Sequence, residues 1–142
     1  MKNMSETTLR VRYQETDQMG VVYHANYLVW FESGRTELMR QHGFSYKKLE
    51  EKGVLLPVVD VRCKYLLPAK YDDLVTVQTR IADWNKRKII FSYEVTSKDT
   101  DQCLAKGEST HLWVDQKMKR VNLKKAVPEL YELLIRLMGE GK

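Results

Sequence analysis

Two carboxylates and a histidine lie close together near the start of the chain. Glu15 and Asp17 are separated by one residue, Gly20 follows them, and His24 comes next. On an extended segment the two carboxylates would point the same way, and a carboxylate can attack a carbonyl group or activate a water. Spacing alone favours a plainer role, because an aspartate at such a position often only organises a turn. His24 could orient a substrate, or its ring could simply be satisfied by backbone groups.

A helix is predicted directly after these residues. Asn26 is its candidate N-cap and Gly43 its end, and residues 27–31 are apolar on nearly every side, so this end should be buried all round. The first amides of a helix lack intrahelical acceptors and carry partial positive charge, which stabilises an oxyanion. Asp17, the turn and the helix start could therefore hydrolyse an acyl compound. No GxSxG motif offers a serine alternative.

The other elements are mostly strands. Alternating apolar residues predict strands over 8–13, 59–65, 74–84, 88–97 and 104–114, and helical spacing predicts helices over 45–52 and 127–138. The order β-α-α-β-β-β-β-α, with short turns between the later strands, indicates a largely antiparallel sheet. A strongly curved sheet wrapped around the early helix would cover its apolar start, so the fold class is α+β.

Length and composition point to one ordinary globular domain over residues 1–142. The hydrophobic fraction is 43% and the charged fraction 30%. No apolar run approaches the ~20 residues of a membrane span, and the first residues contain no apolar signal region, so a cytoplasmic location is expected. Cys63 and Cys103 form no CxxC or zinc-type cluster, and no metal or redox role is expected.

The chain carries 24 basic and 19 acidic side chains, a net charge of +5. One basic cluster, Lys86, Arg87 and Lys88, falls in a predicted hairpin turn. A second follows the last strand and comprises Lys117, Lys119, Arg120, Lys124 and Lys125. As a set they would suit the phosphates of a nucleotide-containing ligand, although any single lysine is ordinary solvated surface. Nucleic acid is less supported, because no recognised binding motif or aromatic interleaving is evident.

The segment RYQETDQMGVVYHANYLVWFESGRTELMR closely resembles the opening signature of the 4-hydroxybenzoyl-CoA thioesterase family, and within it the YbgC-like acyl-CoA thioesterases. The residues at family spacing are Tyr13, Asp17, Gly20, His24, Asn26 and Tyr27. The resemblance implies the hotdog fold, in which a curved antiparallel sheet wraps a long central helix. It also implies subunits that pair edge to edge, often assembling further into homotetramers, with the active site at the dimer interface. No metal or organic cofactor is implied.

The resemblance also assigns roles to individual residues. Asp17 takes the position of the catalytic aspartate, as nucleophile or as general base. A backbone amide near Tyr23 or His24 would hold the oxyanion, and the His24 side chain would position substrate or water. Tyr13 would contribute a hydrogen bond, with strand packing as its alternative role. Glu32 is a weaker candidate on the central helix.

The expected reaction is hydrolysis of an acyl-CoA to a carboxylic acid and CoA. His24 stands where the 4-hydroxybenzoyl branch has tyrosine, which points to short aliphatic acyl groups. The hairpin residues Lys86, Arg87 and Lys88 would hold the CoA phosphates, and the 117–125 cluster is a weaker candidate. Aryl-CoA or acyl-carrier-protein conjugates remain alternative substrates. A non-catalytic module that binds acyl-CoA or another anion is a further alternative, and hydratase chemistry fits the Asp17 arrangement poorly.

Overall fold

Five antiparallel strands form one sheet in the order β1-β3-β4-β5-β2, and the computed structural model describes residues 2–139. The strands are β1 (Ser5–Arg10), β2 (Val58–Tyr65), β3 (Leu74–Trp84), β4 (Lys88–Ser97) and β5 (Cys103–Leu112). The helices are α1 (Asn26–Gln41), α2 (Tyr46–Glu51), α3 (Leu123–Ala126) and α4 (Pro128–Met138). The prediction of an α+β fold with an antiparallel sheet is confirmed, and among the α-helices only the one-turn helix α3 is unexpected.

The first strand lies earlier than its apolar alternation predicts. A strand over 8–13 is expected, whereas β1 ends at Arg10 and a 3₁₀ turn occupies Tyr13–Glu15. The cause is local, because the Glu15 carboxylate accepts a hydrogen bond from the Arg12 amide at 2.8 Å and closes the turn. This turn also means that Glu15 and Asp17 do not lie on an extended segment.

The second strand is not a neighbour of the third. Residues 66–73 carry the chain across the sheet, so β2 pairs with β5 and forms an edge, while β3 pairs with β1 and β4. Most of β2 is exposed, including Val58, Val59 and Val61 at 46%, 52% and 39%. An unpaired edge with apolar side chains is a common place for a sheet to pair with another chain.

Helix α1 packs one side against the sheet. Phe31 is fully buried and stacks on Tyr93 of β4, with ring centroids 4.2 Å apart. Gly34 lies against Thr79 of β3 so closely that a side chain at this position would collide with the Thr79 hydroxyl. The expectation that the start of α1 is buried all round is wrong, because Leu28 and Val29 are 37% and 53% exposed. They lie on the side of α1 that the sheet leaves open, facing the β2 edge.

The C-terminal helix closes the end of the sheet at the β3–β4 hairpin. Its apolar side, which includes Leu130, Leu133 and Leu134, is buried, and Tyr131 packs edge-on against Trp84. The predicted helix over 127–138 is thus confirmed. Among residues 2–139, no helix is both long enough and apolar enough to cross a membrane.

Candidate active site

A tight turn holds Asp17 beside the start of α1. The Asp17 carbonyl accepts from the Gly20 amide at 3.0 Å, and Gly20 has the positive φ of 81° that favours glycine. One carboxylate oxygen, Oδ1, accepts from the Met19 amide at 2.8 Å. The other oxygen has no hydrogen-bond donor within residues 2–139. Asp17 therefore organises the turn with one oxygen and presents the second to its surroundings.

Glu15, the other carboxylate, turns into the protein. It is 7% exposed, and its Oε2 accepts from the Trp30 indole Nε1 at 2.9 Å. Its Oε1 accepts from the Arg12 backbone amide, and the Arg12 side-chain Nε lies 3.6 Å from the same oxygen. The two carboxylates do not form an acid–base pair, because the 3₁₀ turn separates their directions. Glu15 instead fixes the segment before Asp17 to α1.

The amides before α1 differ in whether they are already bonded. The Tyr23 amide donates to the Glu15 carbonyl at 2.8 Å, and the Asn26 amide donates to the Tyr23 carbonyl at 2.9 Å. The amides of His24 and Ala25 have no acceptor in the part of the chain that the structure describes. Of the two positions that the resemblance offers for an oxyanion donor, only His24 has an amide that is not already bonded.

Asp17 and His24 line the same cavity, of about 310 Å³. Its other walls come from the turn, from Tyr27 of α1 and from the end of β2, with Tyr65, Leu66 and Leu67. The Tyr65 hydroxyl donates to the His24 carbonyl at 2.8 Å. Partial burial raises the pKa of Tyr65 to about 12, so this hydroxyl keeps its proton at neutral pH. Sequence reasoning missed Tyr65, because nothing in β2 indicates that its last residue reaches α1.

Tyr13 and Tyr23 lie outside the wall of this cavity. Tyr13 is 76% exposed and packs edge-on against Tyr71 at 5.7 Å. The Tyr23 ring is about half exposed and lies 4.5 Å from the His24 ring. The residues that the structure brings together within one chain are therefore Asp17 and His24.

The two basic clusters lie side by side at the other end of the sheet. The Leu123 amide donates to the Lys86 carbonyl, and the Trp113 amide donates to the Arg87 carbonyl. The hairpin thus touches the 117–125 segment. Asp17 lies at the opposite end of the sheet, near the start of β3. There the Val11 amide donates to the carbonyl of Asp73, the residue before β3. The length of β3, about 35 Å at strand spacing, separates the clusters from Asp17 within one chain.

A buried polar chain that sequence reasoning missed runs from α1 across the sheet. The Arg35 guanidinium points to Tyr93 Oη at 3.5 Å, Tyr93 bonds to Ser109, and Ser109 bonds to His111 Nε2 at 2.8 Å. His111 Nδ1 lies 3.1 Å from the Leu56 carbonyl, which can only accept, so Nδ1 carries the proton. His111 Nε2 then accepts from Ser109, and Ser109 accepts from Tyr93.

We expect His111 to make stability depend on pH. Burial lowers the pKa of His111 to about 4, and an exposed histidine titrates near 6.5. Between these values the unfolded chain binds a proton that the folded chain does not. The free energy of unfolding therefore falls as the pH drops through this window, by about 3 kcal/mol in total. Urea unfolding of wild type and His111→Gln at several pH values isolates this contribution. If the free energy of unfolding changes equally with pH in the two proteins, the contribution is contradicted.

No group of three or more potential metal ligands occurs among residues 2–139. Cys63 and Cys103 are free, and burial raises the pKa of both thiols. Neither cysteine lines the cavity beside Asp17.

Comparison with known proteins places this chain in a family. Residues 11–132 match the model of the Thioesterase-like superfamily. The chain is 43% identical over 128 residues to a Bacillus subtilis protein named "Putative acyl-CoA thioesterase YneP", covering 89% of this chain and 92% of the relative. It is 34% identical over 120 residues to the acyl-CoA thioester hydrolase YbgC of Escherichia coli O157:H7, covering 84% and 89%.

A solved structure agrees with these sequence matches. The DHNA-CoA thioesterase of Staphylococcus aureus superposes with a TM-score of 0.90 at 29% identity, covering 94% of this chain and 89% of that one. The chain belongs to the Thioesterase-like superfamily and has the hotdog fold. The resemblance found in residues 12–40 is thereby confirmed over most of the chain.

Proposed function

We propose that this protein is an acyl-CoA thioesterase whose reacting carbonyl sits between Asp17 and the His24 amide. The observation that carries the proposal is that a carboxylate with one unbonded oxygen and a residue with an unbonded amide line one cavity. The YneP and YbgC relatives, both named for acyl-CoA thioester hydrolysis, support this substrate class. Residues 1–142 would act as a single domain.

The geometry suits hydrolysis by charge stabilisation at the carbonyl oxygen. As the tetrahedral intermediate forms, the His24 amide at the positive end of α1 donates to the new oxyanion. The free oxygen of Asp17 either attacks the carbonyl carbon or takes a proton from an attacking water. The C–S bond then breaks, and the thiolate of CoA takes up a proton. If a water has attacked, the acyl group leaves directly as a carboxylic acid. If Asp17 has attacked, the acyl group stays on Asp17 as a mixed anhydride, and a water then hydrolyses it to the acid and the free carboxylate. The His24 ring would help to position the substrate or water.

The tyrosines of the cavity would keep this arrangement rigid. The Tyr65 hydroxyl bonds to the His24 carbonyl, and the Tyr65 ring packs edge-on against Tyr27 at 5.0 Å. The peptide between His24 and Ala25 is thus held from the sheet side, directly after the His24 amide that would hold the oxyanion. Tyr13 lies farther out, where it would contact substrate only beyond the cavity wall.

We propose that two chains pair through β2 and that each site spans the pair. The edge of β2 is exposed and apolar. In an antiparallel pair of identical edges, Tyr65 at the end of one β2 lies opposite Val58 at the start of the other. Val58 pairs with His111, one strand away from the hairpin at Lys88. The basic clusters of one copy would thereby approach the Asp17 cavity of the other.

This arrangement gives the basic residues a function that they cannot have within one chain. A CoA whose thioester lies at Asp17 would extend its phosphates toward Lys86, Arg87 and Lys88 of the second copy. The adjoining 117–125 cluster enlarges the same positive surface, which would suit an acidic acyl carrier protein as well. Further assembly into a tetramer and a cytoplasmic location stay predictions from the resemblance and the sequence.

A charge placed on the β2 edge is expected to separate the chains. Val59→Lys puts an ammonium group at an exposed position of β2, where a paired strand would bury it. We expect the mass in sedimentation or light scattering to fall from two or more chains to one, and thioesterase activity to fall with it. Thr8→Lys on the other edge strand, β1, is the matched control. Equal masses for both variants and wild type would exclude pairing through β2.

The acyl group itself is proposed to be short and aliphatic, because His24 replaces the tyrosine of the hydroxybenzoyl branch. An aryl acyl group is the second candidate, favoured by the Staphylococcus aureus structure, whose name gives DHNA-CoA as its substrate. Thiol release from acetyl- to decanoyl-CoA and from benzoyl- and naphthoyl-CoA tests both. Release of CoA from one set supports the thioesterase and ranks the candidates. A folded protein that releases no CoA from any of them contradicts the proposed function.

A further inference from the structure

A second cavity lies in the gap between α1 and β2. Its volume is about 240 Å³, and its apolar wall includes Leu28 and Phe31 of α1 and Val61 of β2. Arg35 and Ser109 are the buried polar residues of its lining. The cavity therefore combines apolar walls with a guanidinium group, an arrangement that is typical of a ligand site.

Arg35 is a buried cation without an anionic partner. The residue is 8% exposed, and its Nε has no hydrogen-bond partner among residues 2–139. Its Nη1 lies 3.5 Å from Tyr93 Oη, which is a long contact with a neutral hydroxyl. No carboxylate of the described residues forms an ion pair with Arg35. Because a charge is costly to bury alone, this guanidinium is suited to binding an anion.

The polar groups beside Arg35 do not compensate its charge. The Tyr46 hydroxyl is buried without a hydrogen-bond partner in the described part of the chain, and it lies close enough to Arg35 for each group to shift the pKa of the other. Burial raises the pKa of Tyr46, so its hydroxyl stays protonated and neutral. Tyr93 donates to Ser109 and Ser109 donates to His111, whose pKa burial lowers to about 4. The cluster thus carries one positive charge and a surplus of donors, namely the guanidinium N–H groups and the Tyr46 O–H.

We propose that Arg35 binds a carboxylate group in this cavity. One negative charge would match the one uncompensated positive charge, and the two oxygens of a carboxylate fit the fork of a guanidinium. The Tyr46 hydroxyl supplies a further donor beside that fork. The apolar walls suit a hydrocarbon chain on the carboxylate, and they suit a phosphate group poorly.

Glu32 is the other charged residue of the cavity lining, and it does not occupy this site. Its side chain is exposed and forms no ion pair with Arg35. Water therefore screens its repulsion of a bound carboxylate, whereas the attraction of the buried Arg35 is screened much less.

Two sources could supply the carboxylate. One is a free short-chain acid. The other is the far end of a dicarboxylic acyl group whose thioester lies at the His24 amide, and this second source rests on the proposed function. The helical rise from residue 24 to residue 35, less the backward reach of the arginine side chain, is about 10 Å, which an acyl chain of about eight carbons spans.

The first source is tested by the melting temperature of the wild-type protein in sodium butyrate, with sodium chloride at equal ionic strength as the control. Ligand that binds only the folded chain raises its melting temperature. We expect butyrate to raise it by at least about 3 °C more than chloride does. This measurement needs no catalysis, so it tests Arg35 even if no CoA ester is hydrolysed and the proposed function fails.

The second source is tested with suberoyl-CoA and its monomethyl ester, which has nearly the same length but no terminal charge. If the acyl group supplies the carboxylate, kcat/KM should favour suberoyl-CoA by at least about 10-fold, because a hydrogen-bonded charge discriminates strongly. Stabilisation by butyrate alone identifies a free acid as the ligand. A protein that butyrate stabilises no more than chloride, and that does not prefer suberoyl-CoA, overturns the inference.

Three variants assign the effect to the guanidinium. Arg35→Met keeps a long side chain without charge or donors, and it should abolish both the extra stabilisation by butyrate and the preference for suberoyl-CoA. Arg35→Lys keeps the charge and should retain part of each. Tyr46→Phe removes a neutral hydroxyl that has no partner, so it should fold and also retain part of each. Either effect persisting at full size in Arg35→Met would overturn the role of Arg35.

Discussion

Asp17→Asn is expected to lower kcat at least ~100-fold while leaving the fold intact. The amide oxygen of asparagine can still accept from the Met19 amide, so the turn that Asp17 closes is retained. What is lost is the negative charge on the second oxygen, which in the proposed mechanism attacks the carbonyl or takes the proton from water. Thiol release under saturating acyl-CoA measures the effect, and circular dichroism checks the fold.

The matched control removes a carboxylate of no proposed role. Asp99→Asn, in the exposed turn between β4 and β5, makes the same chemical change and should leave kcat unaltered. If Asp17→Asn turns over substrate at a near-normal rate, Asp17 only organises its turn, which is the role that spacing alone favours. It would also remove the carboxylate from the proposed mechanism.

Gly107→Ala is expected to lower the free energy of unfolding more than a methyl group added anywhere else in the sheet. A side-chain carbon at this position would lie 2.5 Å from the Phe31 ring and would also collide with the Arg62 carbonyl of β2. Both neighbours are fixed, since Phe31 is fully buried against Tyr93 and the carbonyl belongs to the sheet. Overpacking of this kind lowers the free energy of unfolding by about 3 kcal/mol.

Urea unfolding measures the loss, and Lys106→Ala is its control. Lys106 is the preceding residue of β5 and is exposed, so its truncation should change the free energy of unfolding by less than about 0.5 kcal/mol. Equal stability of Gly107→Ala and wild type would mean that α1 does not pack on β5 as closely as described.

Local patterns were enough to predict most elements of the fold. Alternation predicted β3 and β4 with their observed bounds. Ser45 and Gly53 correctly marked the two ends of α2, and Ser45 Oγ accepts from the Lys48 amide. These signals depend on neighbours in sequence. The position of β2 in the sheet does not depend on sequence neighbours, because the crossover of residues 66–73 determines which strand it pairs with. The sequence predicted β2 as the first of four consecutive strands joined by short turns.

The candidate site divides in the same way. Asp17 and His24 are close in sequence, so their shared cavity follows from a turn and a helix start. Tyr65 and the chain from Arg35 to His111 come from elements far apart in the sequence. Only the packing of α1 and the segment before it on the sheet brings them together, and no local pattern encodes it. Arg35 fits the helical spacing of α1 and so looked like any residue of its apolar side.

The proposed mechanism requires that the thioester carbonyl is held between Asp17 and the His24 amide. A crystal structure of Asp17→Asn with an acyl-CoA bound tests it most directly, because the variant should bind substrate without consuming it. We expect the carbonyl oxygen about 3 Å from the His24 amide nitrogen, with the carbonyl carbon facing the side chain at position 17. A thioester bound elsewhere, with the His24 amide pointing at no substrate atom, would contradict it.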